Sequence, residues 1–166
     1  MKKFLAICSL VTAFAFVGGD LAFVGGDLAY AGKEGDWKKA KVPKAEKAKA
    51  RKMKAPFGKL KKASADIVAE GKKIFEGKGT CVNCHGKKGD GLGVAGKVLT
   101  PGPRDFTNCK FHNKRKYDGE LMWILKNGSP GTGMVALVPG TISEEDGWKA
   151  LAYERSFCAK YAKYRK

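Results

Sequence analysis

Apolar positions gather in four blocks along the chain. Phe4 to Phe16 is almost continuously apolar, broken only at Ser9 and Thr12. Ile67, Val68, Ile74 and Phe75 recur at helical spacing, with Gly71 on the same face. Ser64 is placed to cap that helix, Asp66 lies in its first turn, and Gly77 and Gly79 end it. A glycine inside a helix costs up to about 1 kcal/mol, so Gly71 implies close contact with a second helix. Leu121 to Leu125 is apolar nearly all round, the pattern of a buried helix, with Asp118 read as its cap and Asn127-Gly128 as its stop. Trp148, Leu151, Ala152 and Phe157 mark the apolar side of a last helix, started by Ser143 with Glu144, Glu145 and Asp146 at its positive end. Lys160, Lys163, Arg165 and Lys166 suit its other end. No stretch alternates convincingly as a strand. The prediction is an all-α domain of about three to five helices.

The polar positions divide the chain further. Between Lys33 and Lys62 there are thirteen Lys/Arg against three Asp/Glu. Within Lys38–Lys62 the larger apolar residues are Val42, Met53, Phe57 and Leu60. That is too little apolar surface to offset ordering, so residues 32–63 are expected to be a disordered or marginally helical basic arm or linker. A solvated linker and an electrostatic docking segment both fit such a run. The docking partner would be an acidic protein or an anionic membrane surface.

The N-terminal block reads as a secretory signal peptide over residues 1–31. Met1-Lys2-Lys3 is the basic start, and Ala29-Tyr30-Ala31 is the cleavage signal. The repeat of Ala15–Leu21 as Ala22–Leu28 brings Gly-Gly-Asp in twice, which breaks the stretch well short of a spanning helix. Export argues against nucleic acid as the partner of the basic arm. The remaining residues, 64–166, are enough for one domain.

Chemistry concentrates at Cys81-Val82-Asn83-Cys84-His85. C-x-x-C-H spacing is that of covalent haem attachment: each thiol adds across one porphyrin vinyl group, and the adjacent imidazole is held under the iron. A thioredoxin-like motif would need a βαβ context, and a zinc site would need a second ligand pair. Neither is present. Of the five cysteines, Cys8 leaves with the signal and two hold haem, so Cys109 and Cys158 remain. In an oxidising compartment one disulfide between them is expected, worth about 3–4 kcal/mol in the chain-entropy model. The alternative is two separate buried thiols.

Other segments are read around that motif. Gly86-Lys87-Lys88-Gly89-Asp90-Gly91-Leu92-Gly93 is not a phosphate cradle, since no Gly-Lys-Ser/Thr closes it. It is expected to let backbone pass close to the haem edge. Arg104 is a candidate partner for a haem propionate, against a surface role paired with Asp105 or water. The helix around Trp123 is expected to lie against porphyrin. Met134 stands at the tip of Gly128-Ser129-Pro130-Gly131-Thr132-Gly133, where a core methionine is unusual.

With these residues in place, the chain resembles class I monohaem cytochromes of the mitochondrial cytochrome c type, over about residues 64–159. Gly71-Lys72-Lys73-Ile74-Phe75 is similar to that family's first helix, although two extra residues separate Phe75 from Cys81. The loop ending in Met134 is similar to its axial-methionine loop, and Ala150-Leu151-Ala152-Tyr153 to its terminal helix, which packs on the first helix at the glycine. The resemblance implies a cytochrome c-like bundle wrapped around one covalently bound haem c. It implies attachment outside the cytoplasm, and a proline carbonyl, from Pro101 or Pro103, bonded to the axial His85. The basic arm and the Cys109/Cys158 pair depart from the family's pattern and leave partner choice open.

The sixth ligand decides between electron transfer and catalysis. His85 with Met134 gives a closed iron site at raised potential. His112 is the other histidine and would give bis-His ligation, whereas Met122 lies among core residues and Met53 in the arm. The leading expectation is a periplasmic one-electron carrier with lysines such as Lys87, Lys88 and Lys97 around its haem edge, meeting acidic redox partners as a monomer. The alternatives are a haem subunit tethered to a larger respiratory oxidoreductase complex, and an enzyme or gas sensor with an open iron site.

Overall fold

The computed structural model describes residues 42–110 and 117–158. Residues 1–31, read from the sequence as a signal peptide, His112 and the residues from 159 onward lie outside the described residues. The α-helices, in chain order, are α1 (Lys47–Lys52), α2 (Ala65–Glu76), α3 (Cys81–His85), α4 (Asp118–Asn127) and α5 (Glu144–Ser156). Short 3₁₀ turns at Lys44–Glu46, Leu60–Lys62 and Val94–Val98 join them. Among the described residues the β structure is a single bridge between Ala55 and Gly58. The fold is all-α.

Two of the predicted caps form. Ser64 Oγ accepts from the Ile67 amide at 3.4 Å, and Ser143 Oγ accepts from the Asp146 amide at 3.1 Å. Each satisfies one of the orphan N–H groups of a helix start. Asp118 behaves differently. It is the first residue of α4, and Oδ1 accepts from Arg155 Nη2 at 2.9 Å while Oδ2 accepts from the Leu60 amide at 3.0 Å. A carboxylate with a buried guanidinium in reach pairs with it in preference to its own helix's amides. Asp118 thereby joins the arm, α4 and α5 at one point.

The core lies where α2 crosses α5. A Cβ at Gly71 would collide with the backbone carbonyl of Lys149 and reach 3.0 Å from Tyr153 Cβ. The two helices therefore meet backbone to backbone, and only glycine permits it. Phe75 faces Tyr153 and Phe157 at 5.4 and 5.5 Å between ring centroids, so the crossing continues into an aromatic cluster. Outside, Lys149 pairs with Glu70 on α2 and Glu145 on α5, and Lys78 with Asp146. These exposed pairs contribute little each. A disulfide joins Cys109 to Cys158, 49 residues apart in sequence, and ties the end of α5 to the segment that follows Phe106.

The basic arm is the main departure from expectation. From Val42 onward it is folded, and its residues Val42, Ala50, Ala55, Leu60 and Ala63 are buried. It lies along α4. A Cβ on Gly119 would strike the Ala50 carbonyl and stand 2.7 Å from that of Met53. Arg51 Nε donates to Glu120 Oε1 at 2.7 Å, and its guanidinium sits 4.2 Å over the Tyr117 ring. Composition misleads here because the arm docks through alanines and backbone, which need little apolar side-chain area, and is pinned by ions at both ends of the contact. The folded body thus begins by residue 42 rather than at 64.

Gly71→Ala is expected to cost about 2–3 kcal/mol, the upper range for overpacking, because neither helix backbone can yield separately. Denaturant unfolding of the haem-loaded protein measures it. A loss below about 0.5 kcal/mol would mean that the crossing is looser than described.

Candidate haem site

α3 carries both thiols and the imidazole on five residues, little more than one turn. Its entry is set by Thr80, which takes the left-handed conformation at φ 52°. A non-glycine residue there costs about 1 kcal/mol or more, so its surroundings hold it. Cys81 Sγ donates weakly to the Gly79 carbonyl at 3.3 Å. Cys81 and Cys84 are both free thiols of intermediate burial, and burial pushes the Cys81 thiol up to about 11.

The glycine-rich loop after His85 holds the end of this helix. The Gly91 amide donates to the His85 carbonyl at 2.9 Å, and the Gly93 amide to the Cys84 carbonyl at 3.1 Å. These are the carbonyls that a helix C-terminus leaves without partners. Gly93 lies directly against the Asn83 carbonyl, and Gly96 against that of Cys84. These glycines bring the loop backbone onto the backbone of α3.

His85 is oriented by a carbonyl. Its Nδ1 donates to the Arg104 carbonyl at 3.1 Å. A carbonyl can only accept, so Nδ1 carries the proton and Nε2 keeps its lone pair. Burial depresses the imidazole to about 4, so it is neutral at physiological pH. The acceptor is not a proline, as had been expected of Pro101 or Pro103. The Pro103 carbonyl is turned toward Gly91, where a Cβ would stand 2.7 Å away, which leaves the next carbonyl to face the ring. Arg104 therefore enters the site through its backbone.

Met134 is half-buried and packs on the same core cluster as Cys81 and Val82. Its loop is internally bonded: the Ser129 amide donates to the Met134 carbonyl at 2.8 Å, and the Met134 amide to Thr132 Oγ1 at 3.2 Å. Gly133 lies against Leu99, so the methionine loop meets the chain that leaves α3. Trp123 is elsewhere. It belongs to a second cluster with Val42 and Ala50, whereas Leu121, Met122 and Leu125 face the main core. The helix is apolar all round because it is covered on two sides, and the arm takes the side on which Trp123 lies.

The residues present fit a porphyrin. Leu92, Val94, Val98 and Val135 are at least half exposed, and they lie on the loop that follows α3 and on the loop that carries Met134. The remaining large exposed apolar residue among those described is Tyr117, which lies under Arg51. An apolar rim of this kind, beside two free thiols and an imidazole nitrogen with its lone pair available, is what a haem would cover.

The sequence model of the family described as cytochrome c oxidase, cbb3-type, subunit III matches residues 66–153, more than half of the chain. The chain belongs to this family. It is a c-type cytochrome domain, a kind of domain that binds haem for electron transfer. No curated protein matches it. Among solved structures it is similar to the reducing HAO-like protein complex of Kuenenia stuttgartiensis, at 26% identity and a TM-score of 0.45, covering 56% of this chain and 44% of that one. The chain thus spans less than half the length of that relative.

Within the cytochrome domain, sequence reasoning missed the Arg104 carbonyl and Phe106. Phe106 stacks on the His85 imidazole at 4.3 Å between centroids and 21° between planes. A carbonyl carries no residue-type signal. The aromatic residue following Pro-Arg-Asp was the available one.

Gly93→Ala would force a methyl group into the Asn83 carbonyl and displace α3. The expected outcome is a severalfold lower haem-loaded fraction, read as the ratio of haem to protein absorbance after purification. Unchanged loading would show that the loop does not position the motif.

Proposed function

We propose that the protein is an exported one-electron carrier in which Cys81 and Cys84 hold a single haem c covalently and His85 and Met134 ligate its iron. The observation that carries this reading is the fixed tautomer of His85, which leaves Nε2 as the lone-pair nitrogen beside two free thiols. Bound there, haem supplies a one-electron couple at iron. The chain's residues do the rest. The Arg104 carbonyl keeps the imidazole in one tautomer, the hydrogen bonds within the Met134 loop hold its thioether, and the apolar rim excludes water. A ligand pair that stays in place in both oxidation states minimises rearrangement as the charge changes. Arg104 remains the candidate for a haem propionate.

The arm supports an acidic redox partner. Lys44, Lys49, Lys52, Lys54, Lys59, Lys61 and Lys62 are all exposed on it, with Glu46 its one acidic residue among those described. A second reading is a haem subunit of a larger oxidoreductase assembly. It is favoured by the family's description as an oxidase subunit.

A redox-titrated visible spectrum of wild type and Met134→Ala tests the ligand set. The ferric methionine–iron charge-transfer band is expected in wild type and absent in the variant. Its absence from wild type, or its survival in the variant, would remove Met134 as sixth ligand. Ready carbon monoxide binding by the reduced wild type would overturn the carrier.

Docking is tested by salt. The association rate with an acidic redox protein is expected to fall severalfold as ionic strength rises from about 0.01 to 0.15 M, as the Debye length shrinks from about 30 to 8 Å. Lys59→Glu with Lys61→Glu should flatten the dependence. A salt-independent rate would defeat the electrostatic role, and salt-sensitive binding to anionic vesicles alone would point to a membrane.

A further inference from the structure

Two aromatic rings stand in a row behind the candidate axial ligand. The Phe106 ring lies over the His85 imidazole at 4.3 Å and 21°. Phe157 lies on Phe106 at 6.3 Å, again at 21°. Tyr153 and Phe75 then surround Phe157, at 4.7 and 5.5 Å, with steeply inclined rings. The row is held at both ends. The Phe106 amide donates to the Gly89 carbonyl at 2.7 Å, which ties its backbone to the loop after α3. Three residues further on, Cys109 is bonded to Cys158, the neighbour of Phe157. Phe106 and Phe157 are each buried.

The hydrogen bond from Nδ1 to Arg104 fixes which nitrogen is available, but one bond leaves an imidazole free to rock about it. A ring stacked on the imidazole face removes that freedom. A stack backed by a second ring and closed by a disulfide cannot slide away. We infer that Phe106 is a positioning residue which, with Phe157 and the Cys109–Cys158 disulfide behind it, sets the plane of the His85 imidazole at the iron. This rests on His85 as a haem ligand and goes beyond it: the terminal helix fixes the ligand's rotation as well as closing the fold. Phe106 need touch neither substrate nor iron to do so.

The experiment is proton NMR of the ferric holoprotein, in which the order and spread of the haem-methyl resonances report the axial ligand planes. Phe106→Leu, which keeps volume but removes the flat ring, is expected to reorder those resonances, whereas Phe106→Tyr should restore the wild-type pattern. Phe157→Leu and the double variant Cys109→Ser/Cys158→Ser leave His85 and Phe106 intact and should shift the pattern in the same sense by a smaller amount. They serve as the test if Phe106→Leu does not fold. A wild-type pattern in folded Phe106→Leu, or in both of the other variants, would overturn the inference while low-spin ferric spectra leave His85 ligation standing. A wild type without imidazole ligation would remove both.

Discussion

A helix of five residues cannot hold itself, and α3 must present two thiols and one nitrogen in fixed relation. Helix nucleation is unfavourable, and so short a helix owes its existence to what surrounds it. Here the surroundings can be followed outward. The amides of Gly91 and Gly93 take the carbonyls at its end, and the Arg104 carbonyl takes the imidazole proton. The segment that supplies Arg104 is tied to Gly89 through the Phe106 amide and to α5 through Cys109. α5 is in turn locked to α2 where Gly71 meets the Lys149 carbonyl. The crossing of two long helices, far larger than α3 in buried surface, is thus transmitted to one imidazole through a few backbone contacts.

This arrangement explains which parts were legible. The cysteine spacing, the caps at Ser64 and Ser143 and the glycine on the apolar stripe of α2 are local signals, and each carries its own geometry. The Arg104 carbonyl has no such signal, because every residue has a carbonyl and only the fold decides which one turns inward. Pro103 lost the role by facing Gly91. Trp123 was legible as buried but not as to what covers it, since an all-round apolar helix does not say which neighbour takes which side. The arm was misread for a related reason. Large apolar residues are the usual measure of whether a segment can fold, but a segment rich in alanine can settle backbone to backbone on a glycine such as Gly119.

A folded arm changes the electrostatics as well as the boundary. Lysines on a disordered tail lose conformational freedom whenever they engage a partner, and that cost opposes binding. Those of residues 44–62 sit on a backbone already anchored by Arg51–Glu120 and Leu60–Asp118. Their field is fixed relative to the haem domain, so it can orient an approaching partner as well as attract it. The acidic anchors are consumed inside the contact, where Asp118 and Glu120 meet cations from α5 and from the arm itself. The outward face keeps Lys44, Lys49, Lys52, Lys54, Lys59, Lys61 and Lys62, while the charge of Arg51 is met by Glu120 within the contact.

The loop after α3 combines two surfaces that would ordinarily conflict. Lys87, Lys88 and Lys97 are exposed on it, and so are Leu92, Val94 and Val98. Charge alone favours rapid encounter but not close approach, because each lysine keeps its water. Apolar side chains alone would favour adhesion. Interleaved on one loop, the lysines keep their charge in water while the apolar side chains offer the surface that a haem would cover. The glycines that cap α3 also bring the loop tightly back on itself, so the element that orients the ligand also shapes this edge.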